Sequence, residues 1–407
     1  MTARRVPGWS ELRPLLRRRR TVLNPTDRRL AGAVSIADLR VLARRRVPRA
    51  VSDYVDGGAG DEYALRRSRE AFQRLEFIPQ VLQDVSLVDT STVVLGQRAA
   101  VPFVFAPTGF TRMMHTDGES AVARVAERVG IPYALSTMGT TSIERLAAAA
   151  PGGRRWFQLY LWRDRGASRD FVARAAAAGF EALVLTVDTP IAGPRQRDVR
   201  NGLTIPPSLS LKTFAEGALH PAWWFDLFTT EPLEFASLTR FDGTVAELAG
   251  RLFDPAATIA DLAWLRSVWD GPLLVKGILT AADARTVVDT GADGVVVSNH
   301  GGRQLDRAIT PLEALPAVVD AVGDRAEVYV DGGVMSGSDV VAAVALGATA
   351  TLLGRAYLYG LMAGGERGVG RAADILVEEV ASTLALLGVP RVSDLRSDHV
   401  RLRPAPQ

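Results

Sequence analysis

The chain has 407 residues with four histidines and no cysteine, and its 48 lysines and arginines against 45 aspartates and glutamates leave a net charge of +3. Lack of cysteine excludes disulfides, thiolate metal sites, iron–sulfur clusters and a cysteine nucleophile. His115, His220, His300 and His399 stand singly, so no metal is expected, and the dispersed arginines form no basic stripe for nucleic acid.

The length suits either two to three average domains or one large α/β barrel with an insertion and terminal extensions. The N-terminus has no apolar core of signal-peptide length, and nowhere is an apolar run long enough to span a membrane. The expectation is a cytoplasmic protein, with peripheral contact at the inner face of the cell membrane open to it. Of the basic residues only Lys212 and Lys276 are lysine. A lysine kept after the apolar run Leu273-Leu274-Val275 suggests a need for a compact ammonium that arginine cannot mimic.

Residues 1–34 read as an arginine- and proline-rich arm, with one dense run at Arg17-Arg18-Arg19-Arg20 that is either solvated or drawn to anionic lipid. Ser35-Ile36-Ala37-Asp38 has the spacing of a capping box and predicts the first firm helix. Tyr54 then precedes the turn-rich Asp56-Gly57-Gly58-Ala59-Gly60. From about residue 99, β-branched runs alternate with alanine-rich helical stretches.

Eight such runs occur: 101–106, 132–136, 155–160, 182–187, 273–275, 294–298, 327–330 and 349–353. Strand–helix alternation implies a parallel sheet, and eight units imply closure into a TIM (β/α)8 barrel with an N-terminal helical extension. The G-x-G-x-x-G fingerprint of a dinucleotide fold is missing after the first run. A long insertion, 189–272, follows the fourth strand, where such insertions cover active sites. Within it, Trp223-Trp224-Phe225 suits internal packing, a lid, a subunit contact or a membrane edge. Residues 372–387 read as a closing helix, the barrel unit runs over 35–398, and 399–407 remain as a tail.

Almost every predicted strand ends in a polar or backbone-exposing group. In order these are Pro107-Thr108-Gly109, Ser136, Gln158 with Tyr160, Thr186 with Asp188, Lys276, Ser298 with His300, Asp331-Gly332-Gly333, and Gly354-Arg355. In a barrel they converge on one mouth. The last two have the makeup of a phosphate site, with glycines freeing amides and an arginine adding charge. The stretch Ser298-Asn299-His300-Gly301-Gly302-Arg303 adds an imidazole that can take a proton and a guanidinium that can clamp a carboxylate.

With 157–160 (Phe-Gln-Leu-Tyr), 185–190 (Leu-Thr-Val-Asp-Thr-Pro) and 298–306, the chain resembles the FMN-dependent α-hydroxy acid oxidases and dehydrogenases from about Ser35 to His399. Within that family it is most similar to the bacterial quinone-linked L-lactate dehydrogenases. The resemblance implies FMN across the mouth, its ring edge bonded by Ser136, Gln158, Thr186 and Lys276, with the ammonium beside N1 and O2. Pro107, Thr108 and Gly109 join the cofactor contacts, and Ser298, Asp331, Gly332, Gly333, Gly354 and Arg355 take ribityl and phosphate. It further implies His300 as base with Asp188 behind it, Arg303 and Arg195 on the substrate carboxylate, Tyr54 and Tyr160 as hydrogen-bond partners, and Met138 in the side-chain pocket. The expected partners are a small 2-hydroxy acid, a quinone-type acceptor and further copies of the chain in a homotetramer.

Three departures stand out: Met335 where many relatives have arginine near the phosphate, Met138 where glycolate oxidase has tryptophan, and Gly109 where the oxidases usually have alanine. The last leans toward a dehydrogenase. Open alternatives are an oxidase using O2, a flavoenzyme for a larger substrate such as mandelate or a modified peptide, and a barrel in which Lys276 forms a Schiff base.

Overall fold

The computed structural model describes residues 5–13, 23–202, 219–233 and 253–404. Arg17–Arg20, Lys212 and positions 203–218 and 234–252 of the insertion lie outside the described residues. Eight parallel strands form the barrel: β1 (Phe103–Phe105), β2 (Tyr133–Ser136), β3 (Arg155–Tyr160), β4 (Ala182–Thr186), β5 (Leu273–Ile278), β6 (Gly294–Val297), β7 (Glu327–Asp331) and β8 (Ala350–Leu353). Each pairs with its neighbour in sequence, and β8 returns to β1 through Thr351 opposite Phe103. This is the expected TIM barrel. β5 runs three residues beyond its predicted end because a register shift between Lys276 and Ile278 accommodates Gly277 without ending the pairing.

The alternation of side chains along a strand explains both the core and the site. Val104, Ala134, Trp156, Val184, Leu274, Val296, Tyr329 and Leu352 point inward and pack as one buried cluster. Two residues further along their strands, the same inward register delivers Ser136, Gln158, Thr186, Lys276, Ser298, Asp331 and Gly354. The intervening residues, among them Leu135, Phe157, Leu185, Val275, Val297 and Val330, face the helices and join the main core.

A hairpin that the sequence reading did not anticipate closes the floor. Its arms are Thr92–Val94 and Gln97–Ala99, and both turn residues, Leu95 and Gly96, have positive φ, as a two-residue hairpin turn of this twist requires. Val94 and Ala99 are fully buried against the barrel interior. Glu327 accepts the Leu95 amide at 2.9 Å and the Tyr329 hydroxyl, while the Trp156 indole donates to Glu181 at 2.8 Å. The floor is therefore apolar with its polar atoms paired.

Among the described residues, parts of the expected arm and tail are built into the fold. Asn24 accepts the amides of Thr26 and Asp27, Pro25 occupies the first helical position, and the helix Pro25–Leu30 buries Leu30. Ser35 caps the helix Ile36–Arg46 as expected. The closing helix begins well before residue 372: Arg355–Leu387 is continuous but for a kink where Gly364 and Gly365 leave helical geometry. Val400–Leu402 pairs antiparallel with Leu75–Phe77, so this part of the expected tail is held in a two-stranded sheet. Buried Asp56 ties the N-terminal helices to the closing helix, bound by Arg40 at 2.9 Å, by Arg44, and by the Tyr359 hydroxyl at 2.6 Å.

Candidate active site

The mouth of the barrel opens into a cavity of about 810 Å³. This lies within the range of small-molecule and cofactor sites. Of the residues singled out in the sequence, Tyr54, Pro107, Thr108, Gly109, Ser136, Met138, Gln158, Tyr160, Thr186, Arg195, Lys276, His300, Arg303, Asp331, Gly332, Gly333, Gly354 and Arg355 all line it. Asp188 and Ser298 stand behind the wall.

On one side lies a chain of neutral dipoles. Ser136 Oγ donates to Gln158 Oε1 at 2.9 Å and accepts the Met138 amide at 3.1 Å, and Gln158 Nε2 donates to Thr186 Oγ1 at 3.0 Å. Strand register sets this row, since Ser136 pairs with Gln158 and Thr186 with Lys276 across adjacent strands.

Lys276 Nζ is held by Ser298 Oγ at 2.9 Å and Asp331 Oδ2 at 2.8 Å. Burial alone would lower its pKa, but Asp331 and Asp188 more than offset this and hold it above the usual lysine value. The group is thus kept as an ammonium, which disfavours the Schiff-base alternative, because that chemistry needs a neutral amine. Ser298 is fully buried, and its hydroxyl also accepts the His300 amide at 3.0 Å. Ser298 thus couples the ammonium to the histidine loop.

His300 Nδ1 lies 2.9 Å from Asp188 Oδ1, which leaves Nε2 as the basic nitrogen. Burial would raise the pKa of Asp188, but the charge and hydrogen bond of His300 and the charge of Lys276 bring it below the usual carboxylate value. Gly277 is required for this approach, since a β-carbon there would sit 2.7 Å from that of Asp188. His300 adopts a left-handed φ of 57°, uncommon for a residue with a side chain, and Gly301 and Gly302 continue the turn.

Arg303 stacks on the Tyr54 ring with its guanidinium carbon 4.8 Å from the centroid, and its Nη1 donates to the carbonyls of Tyr54 and Gly57. Burial, reinforced by Arg195, lowers its pKa to about 10. Arg195 faces the same ring at 5.9 Å. Tyr160 packs edge-on against Phe253, and burial, with Asp188 nearby, raises its hydroxyl pKa.

Arg355 donates to the carbonyls of Val55, Gly57 and Gly301, leaving two of its five N–H groups uncommitted. Gly332 and Gly333 have φ of 92° and 88°, and a β-carbon at Gly333 would lie 2.4 Å from the Ser68 carbonyl oxygen. Met335 lines the cavity beside them and brings no charge.

These residues fit a flavin nucleotide. Asp331 Oδ1 is buried without a partner, Lys276 has a third N–H to give, and Gln158 Nε2 has a second. The glycine bend and Arg355 supply amides and charge for a phosphate.

The family model described as FMN-dependent dehydrogenase matches residues 43–402. The chain belongs to the FMN-dependent dehydrogenase family. It is 56% identical over 397 residues to a putative L-lactate dehydrogenase of Mycobacterium tuberculosis, covering 98% of this chain and 96% of that one. An L-lactate dehydrogenase of Caulobacter vibrioides is 44% identical over 370 residues, covering 89% and 96%. Among solved structures, the monotopic membrane protein (S)-mandelate dehydrogenase superposes with a TM-score of 0.88 at 40% identity, covering 91% of this chain and all of that one. This family member is an FMN-dependent enzyme that oxidises L-2-hydroxy acids.

Several cavity residues escaped the sequence reading. Phe110, Met114, Phe253 and Leu358 add apolar wall, and Asp198 adds a carboxylate. Gln304 stood inside the histidine motif without an assigned task. Its Nε2 donates to the carbonyls of Asp188 and Ile191, and its Oε1 accepts the Gly193 amide, pinning the start of the insertion to the histidine loop.

Proposed function

We propose that this enzyme oxidises L-lactate to pyruvate and passes the electrons to a quinone, with His300 as the base. The observation that carries the reading is that His300, paired with Asp188 at 2.9 Å, shares one cavity with Arg303, Arg195 and Lys276. Arg303 and Arg195 bind and orient the substrate carboxylate, and Tyr54 and Tyr160 hydrogen-bond the carboxylate and the oxygen at C2. His300 Nε2 takes the substrate proton, and Asp188 stabilises the imidazolium that results. Ser136, Gln158, Thr186 and Lys276 would hold the flavin edge, with Pro107, Thr108 and Gly109 beside it, and Ser298, Asp331, Gly332, Gly333, Gly354 and Arg355 would hold ribityl and phosphate. Bound FMN supplies the two-electron sink.

L-Lactate is favoured by the L-lactate dehydrogenases among the relatives. A quinone acceptor is in keeping with contact at the inner membrane face. Among the described residues no helix is long and apolar enough to cross a membrane, yet Pro221–Thr229 exposes Phe225 and Phe228. Trp223 of that helix is buried and donates to the Met113 carbonyl at 2.9 Å. The exposed Val81, Leu82 and Leu386 offer an apolar surface for a homotetramer.

Anaerobic mixing of the FMN-loaded enzyme with L-lactate, mandelate and glycolate tests the reading. L-Lactate should bleach the flavin fastest, and a soluble quinone should restore the colour faster than air. Faster bleaching by mandelate overturns the substrate, and faster recovery in air overturns the acceptor.

A further inference from the structure

Asp198 has no task in the chemistry above, although it lines the cavity beside the groups assigned to the substrate carboxylate. Its side chain is 18% exposed, and its Oδ2 lies 3.8 Å from Arg195 Nη1. Arg303 and, more weakly, Arg197 also act on its charge, with Asp53 opposing them. Three guanidinium groups thus bear on this carboxylate. Two carboxylates line the cavity among the described residues, and the other, Asp331, is bound to Lys276.

Burial opposes the charged form of Asp198, and Arg303 and Arg195 offset that only in part, so its pKa lies above the usual carboxylate value. A helix-start acid needs no such burial. The short helix Gln196–Asn201 begins just before it, and an exposed carboxylate there would serve the helix equally well.

We infer that Asp198 is a specificity-determining residue that limits the substrate to 2-hydroxy acids with a single carboxylate. The inference rests on the hydroxy acid reading of the same cavity. Its negative charge occupies the place in the arginine field that a second substrate carboxylate would otherwise take. A monoanion meets two arginines and is held, whereas a 2-hydroxydiacid brings its second charge against Asp198 and is repelled.

The test uses FMN-loaded enzyme and two ligands without an α-hydrogen, so that neither is oxidised: 2-hydroxy-2-methylpropanoate, a monoanion, and 2-methylmalate, a dianion. Calorimetric titration should show the wild type favouring the monoanion. In Asp198→Asn that preference should shrink by about tenfold, the effect of removing one like charge several ångströms away in a partly buried site. Asp198→Glu should keep the wild-type preference, which covers the case in which Asp198→Asn fails to fold. If the two ligands weaken equally in Asp198→Asn, or if Asp198→Glu loses the preference, Asp198 is only structural and the inference falls while the hydroxy acid reading stands. If the wild type binds neither ligand and no hydroxy acid bleaches it, both fall.

Discussion

The floor and the mouth of the barrel are made by the same eight strands, in one inward register, a few residues apart. At the floor the inward positions carry Trp156, Tyr329, Leu274 and Val296, and the 92–99 hairpin seals them. At the mouth the next inward positions carry Gln158, Asp331, Lys276 and Ser298. The floor removes apolar surface from water and pairs its few polar atoms. The mouth leaves buried polar atoms open, such as Asp331 Oδ1 and Asp188 Oδ2. One end is organised for folding free energy and the other for a ligand, so damage at the two ends should be separable.

His300→Gln should break function without touching the floor. It should leave the protein yellow, with an unfolding free energy in urea lowered by about 1–3 kcal/mol at most, the cost of taking from buried Asp188 its hydrogen-bond partner. Anaerobic reduction by hydroxy acid should slow by roughly 10²- to 10⁴-fold, the usual contribution of a positioned base. Rapid bleaching by this variant would remove His300 from the chemistry. The converse change is Trp156→Ala, which empties a fully buried indole site. Its unfolding free energy should drop by about 3–5 kcal/mol. The folded fraction should still bind FMN and turn over within about twofold of wild type. A large loss of turnover with little loss of stability would mean that floor and mouth are coupled.

The same contrast decides what could be read from the sequence. Strand spacing gave all eight barrel strands, because buried parallel strands are apolar runs bounded by glycine and polar residues. It gave most of the mouth, because polar residues at strand ends must converge once the barrel closes. The 92–99 hairpin was invisible, since Thr92-Val93-Val94 and Gln97-Arg98-Ala99 are too short and too mixed to stand out, and their turn is Leu-Gly instead of Asn-Gly. The helix at Pro25 had its signal, Asn followed by Pro, but was lost in the arginine-rich arm. Asp198 and Phe253 lie in the insertion, where no strand register says which side chains face inward. Ser298 followed the register correctly, and the fold adds that its hydroxyl accepts from Lys276 and from the His300 amide.

The smallest expected difference lies in acid. Asp188 has a folded pKa below its unfolded value, which is near 3.9 for an unperturbed aspartate. Its ionised form therefore stabilises the fold above about pH 4, and this contribution is lost as pH falls through the lower, folded value. In Asp188→Asn the contribution is missing at every pH. The stability gap between wild type and Asp188→Asn, measured by urea unfolding, should thus be widest at pH 6 and narrow steadily toward pH 3. Trp156→Ala, with no ionisable group removed, should keep a constant gap over the same range. A gap for Asp188→Asn that widened in acid would mean that burial outweighs His300 and Lys276 at this carboxylate, and that the imidazole is not held by a charged partner.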